Sequence, residues 1–150
     1  METTNIAAES ALLASIWLDE DRAGLLDKLE QRDFVDPFCQ WLCEVLQETK
    51  EHEGVLDMVA VMRRARRPAQ LAKLGKGLSD QLAYQIASVL DCEATSAHAA
   101  YYFGVVRAER LKRAVLSLAS AIVNRVQDQH EPKAILEFVA TNCDRLLGKV

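Results

Sequence analysis

At 150 residues, half of them apolar and 27% charged, with a net charge of -4 at neutral pH, the chain has the composition of one globular domain with a real core. Six glycines and three prolines are too few for the turns of an all-β fold, and the mild acidity gives no overall attraction to nucleic acid. The apolar stretches fall well short of the roughly 20 residues of a membrane span, and Glu2 stands where a signal peptide would carry Lys or Arg. A cytoplasmic protein with no membrane partner is expected.

In chain order, nearly every signal is helical. Glu9 to Leu18 spells a short, strongly apolar helix suited to burial. Asp19-Glu20-Asp21 breaks it and supplies acid to the start of a second helix, near Arg22 to Leu29, where negative charge suits the helix dipole. Asp36 followed by Pro37 is an N-cap with proline at the first helical position. Behind them Phe38, Trp41, Leu42, Val45 and Leu46 recur at i, i+3, i+4, i+7 and i+8, which makes one face of that helix core. Gly54 ends its polar tail. Asp57 caps a helix that runs through Val59, Val61 and Met62 into an arginine cluster and stops before Pro68. Leu74-Gly75-Lys76-Gly77-Leu78 reads as a linker, with Ser79 as the cap of a helix through Leu90. These five or six short helices make a compact head to about residue 93.

From Ala94 to Val126 there is no proline and one glycine. Ala108, Leu111, Val115, Leu118 and Ile122 follow at steps of 3, 4, 3 and 4, the interval that keeps one seam facing a neighbouring helix. Charged residues occupy the other faces. After Pro132 a second stripe forms at Leu136, Val139, Cys143 and Leu146, and the polar stretch Gln127 to Glu131 joins the two. The expected fold is therefore all-α and single-domain over 1–150: a helical head over 1–93 and an antiparallel helical hairpin over 94–150. Long helices with few reactive groups suit protein docking. The candidate oligomer interface is Leu111, Val115, Leu118, Ile122, Leu136, Val139 and Leu146, with Val105, Leu116, Ala119 and Val123 available for a second surface.

Reactive residues are sparse. Cys39, Cys43, Cys92 and Cys143 contain no C-x-x-C pair on which to build a zinc site, so buried apolar packing is the expectation for them. His52 and His130 fall in polar turns. Arg63, Arg64, Arg66 and Arg67 form the densest positive cluster and suit phosphate or an acidic partner. They also sit at a helix C-terminus, where cations are favourable for dipole reasons alone, and no aromatic side chains interleave with them to stack on bases. One of Tyr101, Tyr102 and Phe103 must leave the main apolar face and could anchor a partner. Asp19, Glu20, Asp21, Asp33 and Asp36 read as caps. No nucleophile, metal-ligand or phosphate-cradle motif is recognisable, so catalytic, cofactor and metal residues are not assigned and an enzyme is not expected.

Four blocks, in order and at suitable spacing, resemble the N-terminal domain of bacterial replicative DnaB-type helicases. Ala8 to Asp19 (AESALLASIWLD) is similar to that family's A-E-x-A-x-L-G-x-x-x-x-D opening. Asp33 to Phe38 (DFVDPF) is similar to D-F-Y-D-P-x, and Leu56 to Val61 (LDMVAV) to I-D-L-V-T-V. Ser96 to Arg113 follows A-A-N-A-E-x-Y-A-x-I-V-x-E-x-x-x-x-R, with Tyr102 and Val106 in register. Ala14 replaces a usual glycine, Cys39 a histidine and His98 an asparagine, and the G-G-x-x-Y-L block has only a loose counterpart around Gly75 to Leu82.

The resemblance implies a ring-forming collar: a homo-oligomer, dimer or hexamer, that docks primase and a helicase loader during DNA replication and meets DNA only weakly or indirectly. The sequence holds no G-x-x-x-x-G-K-[ST] loop. In that family ATP and Mg belong to a separate RecA-like motor domain, so the stretch is expected to be non-catalytic. A free-standing regulator or adaptor with the same fold is the near alternative. A small helical ligand- or metal-binding protein is the alternative from a different class.

Overall fold

The computed structural model describes residues 3–91 and 98–148. They form two compact units, Met1–Arg107 and Ala108–Val150.

The first unit is built around one helix. It opens with α1 (Thr3–Leu18), which carries Leu12, Leu13, Ala14, Ile16 and Trp17 into the core. Asp19 then caps a 3-10 helix, Glu20–Lys28, by accepting the Asp21 N–H at 3.0 Å, and a short 3-10 turn follows at Gln31–Asp33. Next comes α2 (Pro37–Glu53), started by the Asp36 carboxylate on the Cys39 N–H at 3.2 Å and ended by Gly54 at φ 75°, where a side chain would be strained. It packs against α1 and both 3-10 segments, and against α3 (Met58–Ala65) and α4 (Pro68–Leu74). Phe38, Trp41, Leu42, Val45 and Leu46 are all buried, as their spacing predicts. Two short helices complete the head before the long one: α5 (Lys76–Ser79) and α6 (Leu82–Leu90).

Several boundaries differ from the sequence expectation. Pro68, read as the end of the arginine-bearing helix, is the first residue of α4, a position proline favours because its missing N–H would have no partner there. The glycine-containing linker contains α5. Ser79 closes that helix, its hydroxyl donating to the Lys76 carbonyl at 3.1 Å, and caps nothing; Gln81 stands at the N-cap of α6.

The long helix α7 (Ala99–Gln127) begins inside the head. Ala99 and Val106 are fully buried, while Tyr102 and Phe103 pack against the core. For that reason the head extends to Arg107, beyond the residue-93 boundary read from the sequence. Cys92, Ser96 and the rest of 92–97 lie outside the described residues.

The second unit contains the remainder of α7, a four-residue turn and α8 (Pro132–Leu146). The turn is set by Gln129 at φ 61° and by the His130 N–H on the Arg125 carbonyl at 3.1 Å. Near it the Arg125 guanidinium lies 3.7 Å from the centre of the Phe138 ring, a cation–π contact that ties the two arms together. The architecture is all-α, with no strand among the described residues.

Candidate interaction surface

Among the described residues of the second unit, Ile135 alone is buried. The seven seam residues divide into two groups. Leu118, Ile122, Val139 and Leu146 are half-buried, while Leu111 is 47%, Val115 52% and Leu136 69% exposed. Leu116, Val123, Val126 and Leu147 are exposed as well. An open apolar groove of about 490 Å³ runs along α7, lined by Ala108, Leu111, Lys112, Val115 and Leu116. A two-helix hairpin has a single inner seam, and α7 carries more apolar residues than that seam can hold. The excess, Leu111, Val115 and Leu116 among it, faces solvent.

The arginine cluster does not form one patch. Arg63, Arg66 and Arg67 are exposed, but Arg64 is buried and its Nη1 lies 3.8 Å from the Glu48 carboxylate. Glu48 also accepts the Gln70 amide at 2.8 Å, and the Gln70 backbone carbonyl accepts the Trp41 indole N–H at 2.9 Å. The signal for this was present: Val61, Arg64 and Ala65 stand at i, i+3 and i+4, the inward face of α3. Three exposed arginines remain available to a phosphate or an acidic partner.

The cysteines divide in a similar way. Cys39 and Cys43 are buried, whereas Cys143, expected on the apolar stripe of α8, is exposed. Burial, reinforced by the Asp36 charge, pushes the Cys39 thiol well above its ordinary range; its sulfur sits 3.7 Å from the Ser10 hydroxyl. Burial likewise pushes Cys43 up to about 12, with the Asp33 charge next in size. Both are therefore neutral thiols near pH 7, packed as small apolar groups, and a neutral thiol is a poor metal ligand. Among the described residues, no three His, Cys, Asp or Glu side chains are gathered as a metal site would need.

Polar contacts join the sequence blocks to one another inside the head. Glu9, buried on α1, accepts the backbone N–H groups of Val35 at 2.8 Å and Asp36 at 3.1 Å, which fixes the entry to α2. Asp33, read from the sequence only as a cap, is fully buried. It accepts the Glu30 N–H at 2.7 Å, completing a capping box, and faces Arg107 of α7 at 3.6 Å. Arg107 also donates to the Lys28 carbonyl and lies over the Phe103 ring at 5.2 Å. Glu9 and Arg107 carry no local sequence signal of these roles, because their partners are distant in the chain. Asp57 caps α3 through the Val59 N–H at 2.9 Å.

Residues 1–108 match the family of the DnaB-like helicase N terminal domain. The chain belongs to this family. The matched span and the head of this DnaB-like domain end within one residue of each other, at 108 and Arg107. The likeness of fold reaches further. The crystal structure of the N-terminal domain of DnaB helicase from Mycobacterium tuberculosis is similar over 92% of this chain and 95% of that one, with a TM-score of 0.74 at 22% sequence identity. Comparison with curated protein sequences gives no match. No described helix of this DnaB-like domain is long and apolar enough to cross a membrane.

Proposed function

We propose that this domain is a non-catalytic interaction module of a replicative DNA helicase, located in the cytoplasm. It self-associates through its hairpin to build the collar of the helicase ring and docks primase or a helicase loader during DNA replication. The observation that carries this reading is the apolar side chains that the hairpin unit leaves exposed, Leu111, Val115 and Leu116 along the groove of α7 and Leu136 on α8. A second copy of the chain is the fitting occupant. The same patch on two subunits is self-complementary under two-fold symmetry, and a stable interface needs only about 800 Å² from each partner. The remaining collar surface is left for primase or loader. Any DNA contact is weak and falls to Arg63, Arg66 and Arg67. ATP and Mg belong to the motor domain of the parent helicase, so no cofactor is assigned to these residues.

The test is sedimentation velocity on the wild-type protein and on Val115→Glu and Leu136→Glu, together with binding of a primase helicase-interaction domain. The wild type should sediment as a dimer or larger and bind primase. Each variant should shift toward monomer with its helical circular dichroism intact, because both positions are already exposed in a single chain. Variants that keep the wild-type mass would remove the hairpin from the interface. A correctly assembled protein with no affinity for primase would remove the docking role.

A further inference from the structure

Within the head, an open cleft of about 520 Å³ lies between the end of α1 and the start of α3. Its lining includes Trp17, Leu18, Glu20, Val55, Asp57 and Met58. Three of these are apolar side chains left in solvent: Leu18 at 61%, Val55 at 47% and Met58 at 41% exposure. Val59, next along α3, is exposed too. Both charged lining residues are carboxylates, Glu20 and Asp57, and exposed Asp21 follows Glu20. Trp17 is buried and its indole N–H has no acceptor among the described residues, whereas the other tryptophan, Trp41, has found one.

An apolar floor with a rim of one sign selects its ligand. Aliphatic side chains gain from covering Leu18, Val55 and Met58, cations gain at the rim, and an acidic segment is repelled. The volume suits insertion of one or two side chains. With no strand edge among the described residues to extend, an amphipathic helix laid into the groove is the fitting mode. We propose that this cleft docks a basic amphipathic helix of a partner protein, its apolar face against Leu18, Val55 and Met58 and its lysines or arginines against Glu20 and Asp57. The site lies wholly in the head, so it does not depend on self-association of the hairpin.

The test is a titration of the isotope-labelled whole chain, followed by NMR, with two synthetic helical peptides. Both carry leucines at i, i+3, i+4 and i+7; the remaining positions are lysine in one and glutamate in the other. The Leu/Lys peptide should shift the amide signals of Leu18, Val55 and Met58 saturably and bind at least about tenfold more tightly than the Leu/Glu peptide. Glu20→Lys should weaken it by a further factor of about ten, and added salt should weaken it progressively. Leu18→Ser, at a position 61% exposed, removes apolar floor without changing the charge and should also weaken the shifts, with helical circular dichroism unchanged. Glu137→Lys in α8 and Val115→Glu in the hairpin should leave cleft binding unchanged. Equal binding of the two peptides, or shifts confined to hairpin residues, would overturn the proposal. Shifts at the cleft on raising protein concentration without peptide would overturn it too, by assigning the cleft to a second copy of the chain.

Discussion

The head and the hairpin carry apolar residues about as densely as each other, yet they use them differently. In the head, α2 is surrounded, and Leu42, Val45, Leu46 and Cys43 have no exposed surface at all. In the hairpin unit two helices face each other across one seam, and Leu111, Val115, Leu116 and Leu136 are left in water. Composition therefore says little about which side chains stabilise a single chain; the number of neighbouring helices decides it. An element with one neighbour leaves apolar surface that a second molecule can cover, and the hairpin is such an element.

Substitutions of the same kind in the two units should separate this contrast most sharply. Leu46→Ala in the head removes a fully buried side chain and should cost about 2–5 kcal/mol in urea unfolding. Leu136→Ala in the hairpin should cost under about 1 kcal/mol at concentrations where the chain is monomeric, because the side chain is 69% exposed there. A large monomer penalty at Leu136 would mean that the hairpin surface is already in use within the chain.

Next in size is Arg107→Ala, at the last residue of the head. It leaves the buried Asp33 carboxylate short of a cation and frees the Lys28 carbonyl, and should lower stability by about 2–3 kcal/mol. Arg107→Lys should recover only part of this, since it cannot reproduce the planar contact over Phe103. Full stability in Arg107→Ala would show that α7 is held to the head by apolar packing alone.

Alkaline pH probes the head by a different route. In the folded head Cys39 and Cys43 keep their protons above the ordinary thiol value of 9.0. The unfolded chain loses them near that value and so binds fewer protons than the native state. Stability should therefore be unaffected by these groups below pH 9 and fall as pH rises above it, by up to about 1.4 kcal/mol per pH unit for each thiol. Replacing both by alanine should flatten that fall in a urea-denaturation series run against pH.

The smallest effect is one of access. With a maleimide and peptide mapping at neutral pH, Cys143 should label in the native protein, whereas Cys39 and Cys43 should label only after unfolding. Protection of Cys143 at high protein concentration, lost on dilution, would place it within the self-association surface.

Much of the head is legible in the sequence because its helices are punctuated. Asp36-Pro37 and Asp57 start α2 and α3 where expected, and the i, i+3, i+4 pattern behind Asp36 picks the buried face of α2 correctly. The end of the head is not legible. The helical pattern runs through Arg107 without a break, and only packing against other helices decides that Val106 is core while Leu111 is not. Arg64 was hidden among exposed arginines although its register with Val61 and Ala65 marks it as inward. On the hairpin, the 3-4 spacing identifies the apolar stripe but cannot say what covers it. Four of the seven seam positions are half-buried and three are exposed, a partition set by geometry rather than by residue type.

Everything claimed for the hairpin depends on a second molecule covering it. The most direct measurement is the molar mass of the whole chain by light scattering across a wide dilution series. The account predicts a dimer or larger assembly at high concentration that dissociates on dilution, with the midpoint moved to higher concentration by Val115→Glu. A mass equal to one chain at every concentration, for the wild type as for the variant, would contradict it.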